Sequence, residues 1–147
     1  MPLTQPPRDP SGKVVPHDHA GVLPEDGVIR RISLQHVVPD QMRGCHRISS
    51  IAFKASSGNG NGMSVDLQCE IEKAGLDPRV YVTTPRWIGS VRILARELRV
   101  LSLMVGYHPL ESNPYHGEVW GAFTKVKQDS LRNVCQWFVE IPGVAIR

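Results

Sequence analysis

Short runs of patterned apolar residues, each closed by a proline or glycine, most constrain how this 147-residue chain can fold. Breakers stand at Pro39, Gly75, Pro78, Pro85 and Pro142. Because proline and glycine interrupt regular elements, the helices and strands predicted next to these positions end there. A chain divided in this way favours short strands and short helices that pack together in one α+β domain.

Residues 1–27 differ in character from the rest of the chain. They contain six prolines and few large apolar side chains, and their net charge is −2. Residues 28–147 hold fifteen basic and ten acidic side chains, which gives +5. We therefore predict a flexible, proline-rich tail over residues 1–27 and a single α+β domain over residues 28–147. His17 and His19 are expected to belong to a solvated tail rather than to a metal site.

Apolar residues at every second position predict strands, and apolar residues at three- and four-residue spacing predict helices. The predicted strands cover residues 28–37, 46–53, 80–84, 103–107 and 118–123. The predicted helices cover residues 64–74, 90–101 and about 129–138, with Leu98 and Leu131 on their buried faces. We expect an α+β fold with a mixed, mainly antiparallel sheet of four to six strands and two or three helices packed on it.

The composition is typical of a soluble globular protein, with 41% hydrophobic and 21% charged residues. Cys45, Cys69 and Cys135 are odd in number and far apart, which argues against a disulfide framework and against a cysteine-rich zinc site. A reducing, cytoplasmic location is the natural interpretation. The chain has neither the apolar core of a signal peptide nor an apolar run long enough to span a membrane.

Residues 107–120 hold the densest group of side chains able to transfer protons or bind a metal. Two histidines, two carboxylates and two tyrosines lie there around two prolines. His116 and Glu118 are two positions apart, so they face the same side of a strand. Together with His108 they form a set that suits zinc or non-haem iron. Their spacing matches no metal motif, however, and we favour acid–base chemistry without a metal.

A second group, in residues 46–49, has the chemistry to bind a phosphate. Arg47 and Ser49 share one face of an extended segment, and a planar guanidinium can hold a phosphate through two hydrogen bonds. If this segment neighbours the Glu118 strand, the three residues converge. They then loosely resemble the arginine–serine–glutamate arrangement of ADP-ribosyltransferases, which use NAD. The chain lacks that family's serine-threonine-serine motif, and His116 replaces its second acid, so we assign no family.

The sequence leaves two function classes open. One is a small enzyme acting on a phosphorylated or nucleotide-like substrate, and the other is a noncatalytic binding or accessory subunit of a larger assembly. The positive charge permits an anionic small molecule or nucleotide, and three tryptophans permit a protein partner. Nucleic acid is less favoured because no recognition module is present, and no cofactor is identified. The predicted catalytic residues are His116, Glu118, His108 and His46, and the predicted substrate-binding residues are Arg47, Ser49 and Tyr115.

Overall fold

The computed structural model describes residues 3–56 and 61–147, which form a six-stranded sheet, a three-stranded sheet and short helices. The strands are β1 (Gly27–Ile32), β2 (Val37–Asp40), β3 (Cys45–Ile48), β4 (Met63–Leu67), β5 (Gly89–Leu94), β6 (Met104–Tyr107), β7 (His116–Trp120), β8 (Gln136–Val139) and β9 (Val144–Ala145). The α-helices are α1 (Gln68–Lys73), α2 (Pro78–Val82), α3 (Ala95–Val100) and α4 (Lys125–Val134).

The large sheet has the strand order β6-β7-β4-β1-β5-β8, and each neighbouring pair is antiparallel. The small sheet has the order β2-β3-β9, in which β3 and β9 run parallel. This topology confirms the predicted α+β fold with mixed, mainly antiparallel sheets. It also places β7, which carries His116 and Glu118, between β6 and β4 rather than beside β3.

Strand β1 lies in the interior of the large sheet and is covered on both faces. Val28 and Ile32 join the main hydrophobic core, while Ile29 packs on the opposite face with residues of α1 and α2. A strand buried on both faces needs apolar side chains at successive positions, which Val28 and Ile29 supply before Arg30 and Arg31 interrupt the run. Leu98 on α3 and Leu131 on α4, both predicted to be buried, are fully buried in the main core.

The bounds of all three predicted helices were partly wrong. In each case the predicted helix covers part of a strand as well as part of a helix. Residues 64–74 and 90–101 begin as strands β4 and β5 and continue as helices α1 and α3. The helix at 90–101 was predicted because Val91, Leu94, Ala95, Leu98 and Leu101 fall at helical spacing, but Val91 and Leu94 belong to β5 and only Ala95 and Leu98 belong to α3. The last predicted helix begins earlier and ends earlier, because α4 stops at Val134 and β8 follows.

Local capping explains the other differences from prediction. The strand predicted at 80–84 is helix α2, since Asp77 caps its first turn by accepting from Arg79 N and Pro78 occupies the first helical position. The strand predicted at 46–53 ends at Ile48, where Ser49 caps a 3-10 helix.

The strands predicted at 103–107 and 118–123 are present as β6 and β7, although β7 spans 116–120. The first predicted strand, 28–37, is divided by a second 3-10 helix over residues 34–36.

The N-terminal segment lies along the outer edge of β6. The Asp18 carboxylate accepts a hydrogen bond from Val105 N at 2.9 Å, and His19 N donates to Val105 O at 2.8 Å. His17 Nε2 accepts from Tyr107 N at 3.1 Å. An uncovered edge strand exposes unpaired backbone groups, so this segment protects the end of the sheet.

Apolar contacts also hold the N-terminal segment. Val14 and Val22 are buried, and Gly106 on β6 permits the close approach of the segment, because a Cβ atom there would lie 2.7 Å from His17 O. The flexibility of residues 1–27 stays a prediction. In the structure, however, this segment packs against β6 through buried side chains and hydrogen bonds.

Candidate functional site

The turn between β6 and β7 brings His108 back onto His116 and Glu118. His108 N donates to His116 O at 3.0 Å. On β7, the side chains of His116 and Glu118 face the same side of the strand. His108 Nδ1 lies 3.9 Å and His116 Nε2 lies 3.7 Å from Glu118 Oε1. All three side chains are buried, and Glu118 has no exposed surface. The structure therefore brings together three of the four predicted catalytic residues.

The tautomer of His116 follows from its contact with a backbone carbonyl. His116 Nδ1 lies 2.7 Å from His108 O, which can only accept a hydrogen bond. In the neutral imidazole Nδ1 therefore carries the proton and Nε2 carries the lone pair, which leaves Nε2 available beside Glu118 Oε1. His108 Nδ1 also lies 3.2 Å from His116 Nδ1, so it is a second acceptor for the same proton.

Glu118 is held by two donors from the strand and loop next to it. Gly62 N donates to Oε2 at 2.9 Å, and Ser64 Oγ donates to Oε1 at 3.3 Å. A Cβ atom on residue 62 would lie 2.5 Å from Oε2 and 2.7 Å from Val119 O, so only glycine allows this approach. Gly62 ends a stretch rich in glycine and asparagine, residues 56–62, of which residues 57–60 lie outside the described residues.

Burial dominates the protonation states in this cluster. It raises the pKa of Glu118 to about 7, against the lowering effect of the hydrogen bond from Gly62. Burial, followed by the neighbouring His116, lowers the pKa of His108 to about 4, and burial also lowers the pKa of His116. For His116 the cost of burying an imidazolium outweighs the attraction of the Asp66 carboxylate, which acts in the opposite direction.

A pocket of about 490 Å³ opens beside the cluster, and His116 forms part of its wall. The pocket combines two arginines, an aspartate, hydroxyl and amide groups, and two aromatic rings. Volumes of this size suit small organic ligands. The lining residues are Arg30, Arg31, Ser64, Val65, Asp66, Tyr81, Trp87, Leu110, Ser112, Asn113 and His116.

A hydrogen-bonded network fixes one wall of the pocket. Arg31 holds Asp66 through two bonds, Nε to Oδ2 at 2.8 Å and Nη2 to Oδ1 at 3.0 Å. Asn113 Nδ2 donates to Asp66 Oδ1 at 2.8 Å, and Tyr81 OH donates to Asn113 Oδ1 at 2.8 Å. Because each side chain has a partner that orients it, this wall is formed before any ligand arrives.

Arg30 supplies a second guanidinium from the neighbouring position on β1. It is buried, with Nε donating to Ala52 O at 2.9 Å and Nη1 donating to Ser64 O at 2.8 Å and to Ser56 Oγ at 3.2 Å. Burial lowers its pKa to about 10, so the group remains charged at neutral pH. These hydrogen bonds go to neutral oxygens, which satisfy the donors without cancelling the charge.

The remaining predicted residues lie elsewhere. His46 and Arg47 are on β3 of the small sheet, where His46 is exposed and Arg47 Nε lies 3.6 Å from Asp40 Oδ2. Ser49 caps a 3-10 helix. The neighbours of β7 are β6 and β4, so the expected convergence of Arg47, Ser49 and Glu118 was wrong.

Tyr115 lies next to the pocket rather than in its wall. Its ring packs edge to face on Tyr81 with 5.2 Å between centroids, and its carbonyl accepts from Leu67 N at 3.0 Å. Sequence reasoning missed Arg30 and Arg31, although two adjacent arginines inside an apolar strand are a signal. Charged side chains in such a position need partners, and adjacent residues on a strand face opposite sides.

Comparison with models of known protein families, with curated proteins and with solved structures finds no match. In the part of the chain that the structure describes, no helix is long and apolar enough to cross a membrane. The function is therefore inferred from the site itself.

The raised pKa of Glu118 makes the effect of Glu118→Gln on stability depend on pH. The pKa is about 7 in the folded protein and 4.5 ordinarily, so the wild type loses stability as pH rises from about 4.5 to about 7. We compare the free energies of unfolding of Glu118→Gln and the wild type in buffer containing a chelator. Between pH 4.5 and pH 8, the difference between the two proteins should shift in favour of Glu118→Gln by roughly 2–3 kcal/mol. Urea unfolding at both pH values measures this. Glu111→Gln, at an exposed position, is the control, and an equal difference at both pH values would contradict the assignment.

Proposed function

We propose that the protein is a small enzyme that binds a phosphorylated or nucleotide-like substrate in the pocket beside His116. The observation that carries this proposal is that one pocket is lined by Arg30, Arg31 and a histidine backed by a buried carboxylate. Pockets with convergent polar groups and groups of altered pKa are typical of active sites.

The charges in the pocket favour an anion. Arg30 and Arg31 contribute two positive charges, whereas Asp66 contributes one negative charge and neutral His116 contributes none. Arg31 is paired with Asp66, whereas the hydrogen bonds of Arg30 go to neutral oxygens and its charge interacts with the nearby Glu118 and Asp66 carboxylates. Guanidinium groups bind phosphate oxygens well, since their planar fork matches the spacing of those oxygens.

The aromatic residues support the nucleotide-like part of the proposal. Tyr81 and Trp87 both line the pocket. A planar base gains free energy by stacking on such rings, whatever its identity. A phosphate near the arginines and a base near the rings would use both parts of the lining.

His116 and Glu118 are the groups we assign to proton transfer. His116 lines the pocket and is neutral near pH 7, so its free nitrogen can accept a proton, and Glu118 can stabilise the imidazolium that forms. A carboxyl group with a pKa of about 7 is also suited to exchange protons near neutral pH. General acid–base catalysis of this kind needs positioned groups. The bond that His116 Nδ1 donates to His108 O and the bond that Gly62 N donates to Glu118 position them.

We predict that replacing Arg31 weakens binding of an anionic probe. Titration with AMP and with inorganic phosphate, followed by NMR, should show about 10–100-fold weaker binding to Arg31→Gln, because a charge-assisted contact is lost. Arg31→Lys should fall between this variant and the wild type, since it keeps the charge but loses the fork. Arg43→Gln is the matched control, because Arg43 also pairs with an aspartate but lies outside the pocket.

Thermal melts of each variant show whether it is folded. Absence of binding of both probes to the wild type would contradict the proposal. Turnover is sought separately with a panel of nucleotides and sugar phosphates, with Glu118→Gln expected to bind but not to turn over. Binding without turnover of any panel member would favour the alternative of a noncatalytic binding or accessory subunit.

A further inference from the structure

We propose that His108, His116 and Glu118 form a binding site for one divalent transition-metal ion, with zinc as the ion that fits best. One ligand atom from each of the three residues lies within 4.8 Å of the other two. The site does not include the pocket arginines, but it shares His116 and Glu118 with the proposed proton-transfer groups, so in the metal-bound protein His116 is a ligand rather than a proton acceptor. The inference does not depend on the identity of any substrate.

The distances suit a tetrahedral ion. Glu118 Oε1 is the common point, 3.7 Å from His116 Nε2 and 3.9 Å from His108 Nδ1. Two atoms bound to zinc in tetrahedral geometry are about 3.3 Å apart, so each imidazole nitrogen needs to approach Glu118 Oε1 by roughly half an ångström. The two nitrogens lie within 4.8 Å of each other and need to approach by up to roughly 1.5 Å. His108 Nδ1, which lies 3.2 Å from His116 Nδ1, has to turn away from that nitrogen to bind the ion.

The surrounding groups already orient the three ligands. Histidines that bind metals usually donate their other ring N–H to a carbonyl or carboxylate, and His116 Nδ1–H does this toward His108 O. The Gly62 N–H occupies Glu118 Oε2, and Oε1, which also accepts from Ser64 Oγ at 3.3 Å, faces the imidazoles. The lone pair of His116 and one carboxylate oxygen are thus directed to the same place.

The charge and chemistry of the set point to zinc. A fully buried carboxylate beside two buried imidazoles is costly on its own, and a divalent cation between them would offset that cost. Two nitrogen ligands and one oxygen ligand match zinc centres that keep a fourth position open. Calcium and magnesium prefer sites made of oxygen ligands and should bind poorly here.

Zinc binding by the full chain tests the inference directly. The protein is stripped with a chelator, and isothermal titration with zinc is carried out without any nucleotide present. We expect one ion per chain. Glu118→Gln and His108→Asn should each bind zinc at least about 100-fold more weakly. Glu111→Gln, an exposed glutamate in the same loop, and His46→Asn, an exposed histidine, are the matched controls and should bind like the wild type.

The melting temperature with and without zinc is a second measurement, and it also shows whether each variant is folded. Zinc should raise the melting temperature of the wild type and of Glu111→Gln but not that of Glu118→Gln, since an ion that binds only the folded state stabilises it. Cobalt should give the absorption of a four-coordinate centre with nitrogen and oxygen ligands. Zinc affinity that is unchanged in both Glu118→Gln and His108→Asn, or the absence of zinc binding by the wild type, would overturn the inference. Because no organic ligand is present, neither result depends on whether the pocket binds phosphate.

Discussion

Deleting residues 1–19 is expected to lower the free energy of unfolding by about 3 kcal/mol. The deletion removes buried Val14 and the hydrogen bonds of His17, Asp18 and His19 to the edge of β6. Burial of one valine and a few hydrogen bonds together contribute roughly this amount. Urea unfolding of the full-length and shortened chains measures the difference.

The same deletion should also make the protein prone to associate, because β6 would then present unpaired backbone groups at the end of the large sheet. Light scattering at increasing concentration detects this. Asp18→Asn is a milder variant, since it loses the 3.0 Å ion pair with Arg99 but retains an acceptor for Val105 N. Melting temperatures of the deletion and the wild type that agree within a few degrees would instead support the flexible tail predicted from composition.

Leu98→Ala is expected to lower the free energy of unfolding by about 2–5 kcal/mol. Leu98 is fully buried on α3 and belongs to the main core, so truncation removes apolar contact and leaves a cavity. Val100→Ala is the matched control on the same helix, because Val100 is 82% exposed and its truncation should change stability by less than about 0.5 kcal/mol. Equal effects of the two changes would show that the buried face of α3 is assigned incorrectly.

Several features of the fold and the site followed from residue patterns alone. The α+β class, the mainly antiparallel sheet and the burial of Leu98 and Leu131 were predicted correctly. The alternation of side chains along a strand placed His116 and Glu118 on one side of β7. These predictions succeeded because they depend on local periodicity, which the chain carries within a few residues.

Element boundaries could not be predicted where strand and helix adjoin. Apolar residues of β5 and α3 face the same core from different elements, and their combined spacing resembles one helix. Residues 89–94 form a strand because they pair with β1, which lies about 60 residues earlier in the chain. The helix α2 is different, since Asp77 and Pro78 are local start signals that were present in the sequence and were not used.

By itself, the sequence determined the chemistry available to the protein: two histidines and a glutamate in one hairpin, an arginine pair in the first strand, and the periodicities that specify an α+β fold. Only the tertiary structure decided which arginines meet that hairpin. Strand order placed β7 two positions from β1 and away from β3, so Arg30 and Arg31 line the pocket while Arg47 pairs with Asp40. The physical reason is that strand pairing between distant segments depends on the packing of the whole core, whereas the direction of a side chain on its strand depends on the strand alone.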